Sequence, residues 1–488
     1  MPSATLSCLS GHLRAIRDYR DEEAALERLR VDAERMTAVR DVWRALWSSR
    51  LLVWLAGAGA VGTFGLGPVR HALNPPGLTR GFGRLGDLMA APAARWDAAW
   101  YLVIAHYGYR PDLGAFTVSR TAFFPLYPVG VSGLARLGLA PVVAGVLLSV
   151  AALAAALYGL HRLTTLEVAR LGHSGSAGAR RLGAAPRGED VARLAVMLTA
   201  FAPMAFYFSA VYSESLYLAL SVGVFLCARR GRWVIVAMLG ALAGATRSTG
   251  VVLLVPALLL YLYGPREDRA PDRPAGEGPR AASGRVLAHS PMRALRPRYR
   301  LRRDVLWLAL IPVGLGLYMA HLALAGGDAL APFHAQAVWN RHFAGPYLGV
   351  WDGAKAAFEG LRQLLSFQRH HVYFTAAGGS PFIDAGHNLL LFAFLLAAVP
   401  AAAGVLRLLP GAYGVYVLAA LALPLSYPVA PQPLMSLPRF LVVLFPLNIW
   451  LAIRLSGHPR AVTWAVLAVS GVAMAFFVGE FATWHWVA

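Results

Sequence analysis

The chain has little cysteine, almost no lysine and few charges of any kind. Its two cysteines, Cys8 and Cys227, fall in a charged terminal stretch and in an apolar run, which excludes a disulfide framework and offers no zinc-ligand spacing. Lys355 is the single lysine, so the excess of 45 basic over 25 acidic residues is almost entirely arginine. Charged residues make up 14% of the 488, against 57% hydrophobic ones, with a mean hydropathy of +0.53. That is too little charge to cover a soluble protein of this length and too many apolar runs for one core, so the chain reads as an all-α polytopic membrane protein. No nucleic acid partner is expected, because the arginines collect between apolar runs, where the positive-inside rule puts them. The first apolar run begins only near Leu46, and no cleavable signal peptide is read before it.

About eleven spans can be counted. Residues 1–45 read as a charged cytoplasmic segment and residues 46–480 as the transmembrane domain, with an outer tail at 481–488. Within the domain, 67–138 is a first outer loop, 265–303 a flexible basic cytoplasmic loop rich in Pro, Gly and Arg, and 327–385 a second large outer loop. The stretch 233–264 is too long for one straight span at about 1.5 Å per residue, and both its flanks are basic. Two short helices meeting at Ala245–Gly250 resolve this, and a re-entrant hairpin would satisfy the same parity. Gly57, Gly59 and Gly62 match the dinucleotide fingerprint in form only, since they lie inside an apolar span where small residues serve helix packing. Seven arginines between Arg70 and Arg136 run against the charge rule, which long loops obey weakly.

Span parity then puts the chemistry-bearing residues on one face of the membrane: Asp97, Glu214, Arg247, Arg341 and Arg439, with His106 and His342. The densest stretch is a predicted helix over Trp96–Tyr107, ended by Gly108 and Pro111. It sets Asp97 and Tyr101 four residues apart on one face, with Trp96 and Trp100 beside them. A carboxylate among aromatic rings suits a carbohydrate, whose apolar faces stack on rings while the acid meets a hydroxyl. Plainer roles are open to the same residues: a helix cap or a partner for Arg95 at Asp97, snorkelling cations at Arg341 and Arg439, an interfacial belt for the aromatics. His370-His371 is too isolated a pair for a metal site. An ionisable residue inside an apolar run, as at Arg247, is costly and marks function. A transporter or flippase for a lipid-linked or polar substrate also fits the split helices, and a non-catalytic membrane subunit is a third reading.

Arg95-Trp96-Asp97, with Trp100-Tyr101, Ile104-Ala105, Gly108-Tyr109 and Phe123–Pro128, resembles the first luminal loop of the PIG-V (phosphatidylinositol-glycan class V) mannosyltransferases and their bacterial relatives. Tyr212-Ser213-Glu214-Ser215-Leu216, Thr246–Gly250 and Pro438-Arg439-Phe440 resemble further landmarks of that family in the same order, so the likeness spans about residues 95–446. The charged N-terminal segment, the 265–303 loop and Thr249, where asparagine is expected, depart from it. The resemblance implies a GT-C-type glycosyltransferase fold. It implies an enzyme that moves a sugar, usually mannose, from a polyprenyl-phosphate carrier to a lipid or glycan acceptor, inverting the anomeric centre, on the extracytoplasmic face of a bacterial plasma membrane. Asp97 would be the general base. Arg247, Arg341 and Arg439 would meet the leaving phosphate. Arg95, Trp96, Trp100, Tyr101, His106, Tyr109, Phe124, Tyr127, Tyr212, Glu214, Gln336 and Trp339 would line the substrate. No cofactor is expected, and since no nucleotide diphosphate leaves, no metal clamp is required.

Overall fold

The structure is a computed structural model and describes residues 3–67, 78, 83–109, 119–173, 188–272, 297–373 and 380–487, the side chains at 3–28, 30 and 84 excepted. All regular structure among these residues is helical, as segments that cannot bond water must be unless they close a barrel. Each of the eleven apolar segments expected from sequence contains helix, though some are broken. Among the described residues, five helices are long and apolar enough to cross a membrane unaided: Val31–Phe64, Pro141–Leu171, Arg303–Gly326, Pro381–Leu408 and Arg460–Ala482. The others are shorter, because polar breaks interrupt them, and those breaks carry the site.

Helix α1 (Ser3–Phe64) is unbroken, so the charged N-terminal segment and the first span form one rod from residue 3. The first expected outer loop contains α2 (Gly83–Ala90), α3 (Ala98–Tyr107) and α4 (Leu126–Arg136). Then come α5 (Pro141–His173), α6 (Gly188–Ala200) and α7 (Glu214–Arg229). The long apolar run is split as expected, into α8 (Trp233–Gly244) and, beyond a 3-10 turn at Ser248–Leu253, α9 (Leu254–Tyr263). After it come α10 (Val313–Gly326), α11 (Pro346–Ser366), α12 (Pro381–Leu408), α13 (Gly411–Leu425), α14 (Leu437–Val442), α15 (Phe445–Leu455) and α16 (Arg460–Ala482). The core forms where α7 packs on α5 and α8, α5 on α6, and α16 on α1.

Three stretches differ from the sequence expectation. The second expected outer loop, 327–385, contains the helix α11. Gly349 and Gly360 let it close on the backbone of α13 and α12, where an added Cβ would lie 1.9 Å from the Leu425 carbonyl oxygen and 2.9 Å from that of Ala385. Its other side exposes Tyr347, Trp351, Phe358, Leu361 and Leu365, an apolar stripe suited to lipid rather than to water. The described edges of the 265–303 loop are folded, with Arg266 set over the rings of Trp233, Tyr261 and Tyr299 at 4.7, 4.9 and 5.1 Å; residues 273–296 lie outside the described residues. The expected tail also packs inward: Thr483, Trp484 and Val487 are buried.

Candidate active site

Asp97 does not sit inside a helix. Trp96 is held in the left-handed region at φ 55°, uncommon for a bulky residue, so the helical path starts only at Ala98 and Asp97 occupies the N-cap. Its carboxylate makes no capping bond; Arg439 Nη1 donates to Asp97 Oδ2 at 2.6 Å. The capping role and the pairing with Arg95 therefore give way to a bridge across 342 residues of sequence. Arg95 turns elsewhere, its Nε donating to the Ala482 carbonyl at 3.1 Å.

Arg439 is presented by α14, which Ser436 in a left-handed turn and Pro438 in the first turn start abruptly. Its Nε donates to Glu214 Oε1, and Arg247 Nη1 donates to the same oxygen at 3.1 Å. Glu214 opens α7, where the helix dipole favours a carboxylate. Arg247 lies in the extended break between α8 and the 3-10 turn. The result is a chain of alternating charge, Asp97–Arg439–Glu214–Arg247, drawn from four separate breaks. Glu214 is fully buried, while the Asp97 side chain keeps 26% of its surface exposed. Glu214 Oε2 is buried with no hydrogen-bond partner.

Aromatic residues wall this chain. Arg439 lies over the Tyr212 and Tyr207 rings at 4.7 and 5.5 Å, and Arg247 over Phe440 at 5.2 Å. The Tyr212 hydroxyl donates to the Arg95 carbonyl at 3.0 Å, which fixes the turn that carries Asp97. Tyr101 Oη and Ser213 Oγ share a hydrogen bond at 2.9 Å, and the Tyr101 ring packs edge-on against Phe123 and Tyr127, both at 5.2 Å. Trp100 stacks on Phe123 at 5.8 Å, and Trp339 meets the edge of the same ring at 6.1 Å. The unwound segment between α6 and α7 is held by Arg50 of α1, fully buried, whose guanidinium donates to the carbonyls of Ala200 and Ala205 and to Ser209 Oγ at 3.0, 2.7 and 3.0 Å. A cation is suited to free carbonyls at a helix end.

Arg341 stands apart from the other two arginines. It follows Asn340, which ends a 3-10 turn in the left-handed region, and lies within electrostatic reach of Asp97 and Arg439. Its Nε is buried with no acceptor. Burial pushes this guanidinium below its ordinary pKa, and Asp97 acts in the opposite direction.

Several predicted residues lie outside the charge chain. Gln336 Nε2 turns back to the Pro332 carbonyl at 3.3 Å, within its own turn. The Tyr127 hydroxyl donates to the Gly145 carbonyl at 2.9 Å and the Tyr109 hydroxyl to that of Phe123. Phe124 packs on Tyr318 at 5.1 Å, and the Tyr318 hydroxyl donates to the Thr121 carbonyl at 2.8 Å, so residues 121–124 form a wall. Behind that wall, His106 and Tyr109 line a groove of about 1060 Å3 between α3, α4, α8 and α10. Its sides are mostly apolar, from Val129, Met238, Leu242 and Leu317, with Arg136 and His321 also at its edge. His342 is exposed, and His371 pairs with Asp384 at 3.0 Å away from the acid cluster. Among the described residues no three His, Cys, Asp or Glu side chains converge as metal ligands do. Tyr207 and Arg50 were not singled out from sequence, and Ser213 and Phe440 entered only as parts of the family landmarks, with no role assigned. Arg50 carries a readable signal, an arginine within an apolar helix.

The described residues thus form an all-helical membrane fold with an acid–guanidinium chain, walled by aromatic rings, at its helix breaks. Residues 71–259 match the family model described as mannosyltransferase (PIG-V). Over that stretch, less than half of the 488 residues, the chain is PIG-V-like. Asp97, Glu214 and Arg247 fall inside the matched region, Arg341 and Arg439 beyond it. No curated protein and no solved structure matches the chain.

Proposed function

We propose that the protein transfers a mannosyl group from a polyprenyl-phosphate carrier to a lipid or glycan acceptor, with inversion, on the extracytoplasmic face of a bacterial plasma membrane. The observation that carries this reading is the division of labour among the arginines. Arg439 is held by both carboxylates and Arg247 by Glu214, so their charge serves to hold Asp97 and Glu214 in place. Arg341, with an unused buried Nε, is the guanidinium free to meet a phosphate.

In this reading Asp97 accepts the proton of an acceptor hydroxyl while that oxygen bonds to the anomeric carbon. The bond from that carbon to the phosphate oxygen breaks with its electron pair, and the charge arriving on the polyprenyl phosphate is met by Arg341. The apolar groove behind the 121–124 wall gives a long carrier chain a place to lie. The half-helices around Arg247 are shared with the transporter reading, and chemistry at Asp97 separates the two.

The test is transfer by purified protein in lipid nanodiscs, from polyprenyl-phosphate mannose to a membrane lipid extract. Asp97→Asn should lower turnover by about 10²–10⁴-fold, the span typical of general base loss. Arg341→Gln should lower it by about 10²–10³-fold, as loss of one stabilising donor does. Equal transfer by wild type and Asp97→Asn sinks the assignment of the base.

A further inference from the structure

At the end of α7 remote from Glu214, the turn 229–232 and the two described edges of the 265–303 loop join into one surface. Glu267 N donates to the Arg229 carbonyl at 2.8 Å, and a Cβ added to Gly231 would fall 2.1 Å from Asp268 Cγ. The segment 298–302 is fixed almost residue by residue. Arg298 N and Tyr299 N donate to the Leu262 carbonyl at 2.9 and 3.1 Å. Arg300 N donates to Asp272 Oδ2 and the Arg300 carbonyl accepts from Arg269 Nη2, both at 2.8 Å. Arg302 N donates to the Tyr261 hydroxyl at 3.0 Å, and Tyr299 turns inward beneath Arg266.

The acids of this surface are taken up by the fold, and the outward arginines are not. Asp268 pairs with Arg266, Asp272 with Arg269 and the Arg300 N–H, and Asp304 accepts from the Tyr261 hydroxyl. Arg232, Arg298, Arg300, Arg302 and Arg303 are all exposed, and among the described residues none of them has a carboxylate at ion-pair distance. Glu267 is the one exposed acid described beside them that is left without a cation. Arg298, Arg300, Arg302 and Arg303 crowd into a single short stretch, where like charges repel. Leu301, Leu306 and Trp307 are exposed in the same place. Arg303–Gly326 is one of the helices able to cross a membrane, so an arginine at its first residue and a tryptophan four residues on stand at headgroup level.

We propose that this surface binds the anionic phospholipid headgroups of the leaflet it faces, with phosphodiesters on Arg298, Arg300 and Arg302 and acyl chains along Leu306 and Trp307. A headgroup of net negative charge relieves the repulsion among the arginines, whereas a zwitterionic one brings a cation of its own. Nucleic acid or an acidic protein would use the charge and leave the apolar side chains in water. A lipid meets both. The backbone under the arginines is already held, so little ordering is lost when a lipid arrives, unlike at a basic loop that merely obeys the positive-inside rule. Such binding is independent of the transfer reading.

Native mass spectrometry of the full chain in detergent, titrated with phosphatidylglycerol or phosphatidylcholine, reads the affinity of the first bound lipids. Phosphatidylglycerol should bind wild type about tenfold more tightly than phosphatidylcholine. Arg300→Gln combined with Arg302→Gln should remove that preference, and Arg298→Gln alone should lower it by about threefold. These changes keep the backbone bonds of 298–302, so thermal stability in phosphatidylcholine nanodiscs should match wild type. The control, Arg407→Gln combined with Arg454→Gln, takes as much charge from exposed arginines in the last turns of α12 and α15. It should leave the preference within about twofold. Equal affinity of wild type for the two lipids, a preference unchanged by the first pair of substitutions, or an equal loss in the control overturns the proposal. So does displacement of phosphatidylglycerol by glycerophosphate, which carries the headgroup charge without acyl chains, or tighter binding of a short oligonucleotide or an acidic peptide.

Discussion

Helix α7 ends in two buried acid clusters, and they are built differently. At its C-terminal end Arg229 Nε donates to Glu167 Oε1 at 2.5 Å, the Tyr413 hydroxyl donates to the same oxygen at 2.8 Å, and Arg170 Nε donates to Oε2 at 3.2 Å. Every carboxylate oxygen there has a partner. At the N-terminal end Glu214 is buried just as fully, yet both guanidinium groups crowd onto Oε1 and Oε2 has none. Buried polar groups left unmatched in a native protein call for a reason. The first cluster is a closed staple among α5, α7 and α13, and the second leaves one carboxylate oxygen unmatched.

Substitutions that remove charge but keep shape sharpen the contrast. Glu167→Gln should cost about 3–5 kcal/mol, because it leaves the buried Arg229 uncompensated, read as a loss of thermal stability in detergent with unaltered turnover in the molecules that remain folded. Glu214→Gln should cost a comparable amount, about 3–5 kcal/mol, because Arg439 keeps Asp97 but Arg247 loses its carboxylate. Its mark should be on transfer, lowered by about 10²-fold as Asp97 loses its fixed neighbour. The gentlest probe is Tyr413→Phe, which removes one hydrogen bond from the closed cluster and should cost about 1 kcal/mol with no change in transfer. Transfer intact in both the Glu167 and the Glu214 variant would erase the distinction.

The apolar runs and the breaks between them were legible in the sequence, because helix in a membrane is forced by backbone hydrogen bonding. The length of 233–264 and its basic flanks marked the break there, the cost of Arg247 marked a site, and the structure puts Arg247 on Glu214. The convergence of Asp97, Glu214 and Arg439 followed from span parity together with the resemblance. What could not be read was the pairing. Three arginines near two acids look equivalent as letters, whereas the fold commits Arg439 twice, Arg247 once, and leaves Arg341 Nε without an acceptor. The direction of loop side chains was hidden for the same reason, so Gln336, folded back on Pro332, and His106, in the groove, were grouped with the acids. Trp484 and Trp486 read as a tail, since nothing local signals a contact with Trp96 almost four hundred positions earlier.

That contact sets an order of assembly. The Arg95 guanidinium and the Trp96 ring take their positions from residues 482–486, which enter the membrane only after every intervening helix has been threaded. Loop closure over so many residues is slow to be rewarded. During biogenesis the acid motif is therefore among the first elements translated and among the last to be set, and a partly inserted chain carries the letters of the site without its shape.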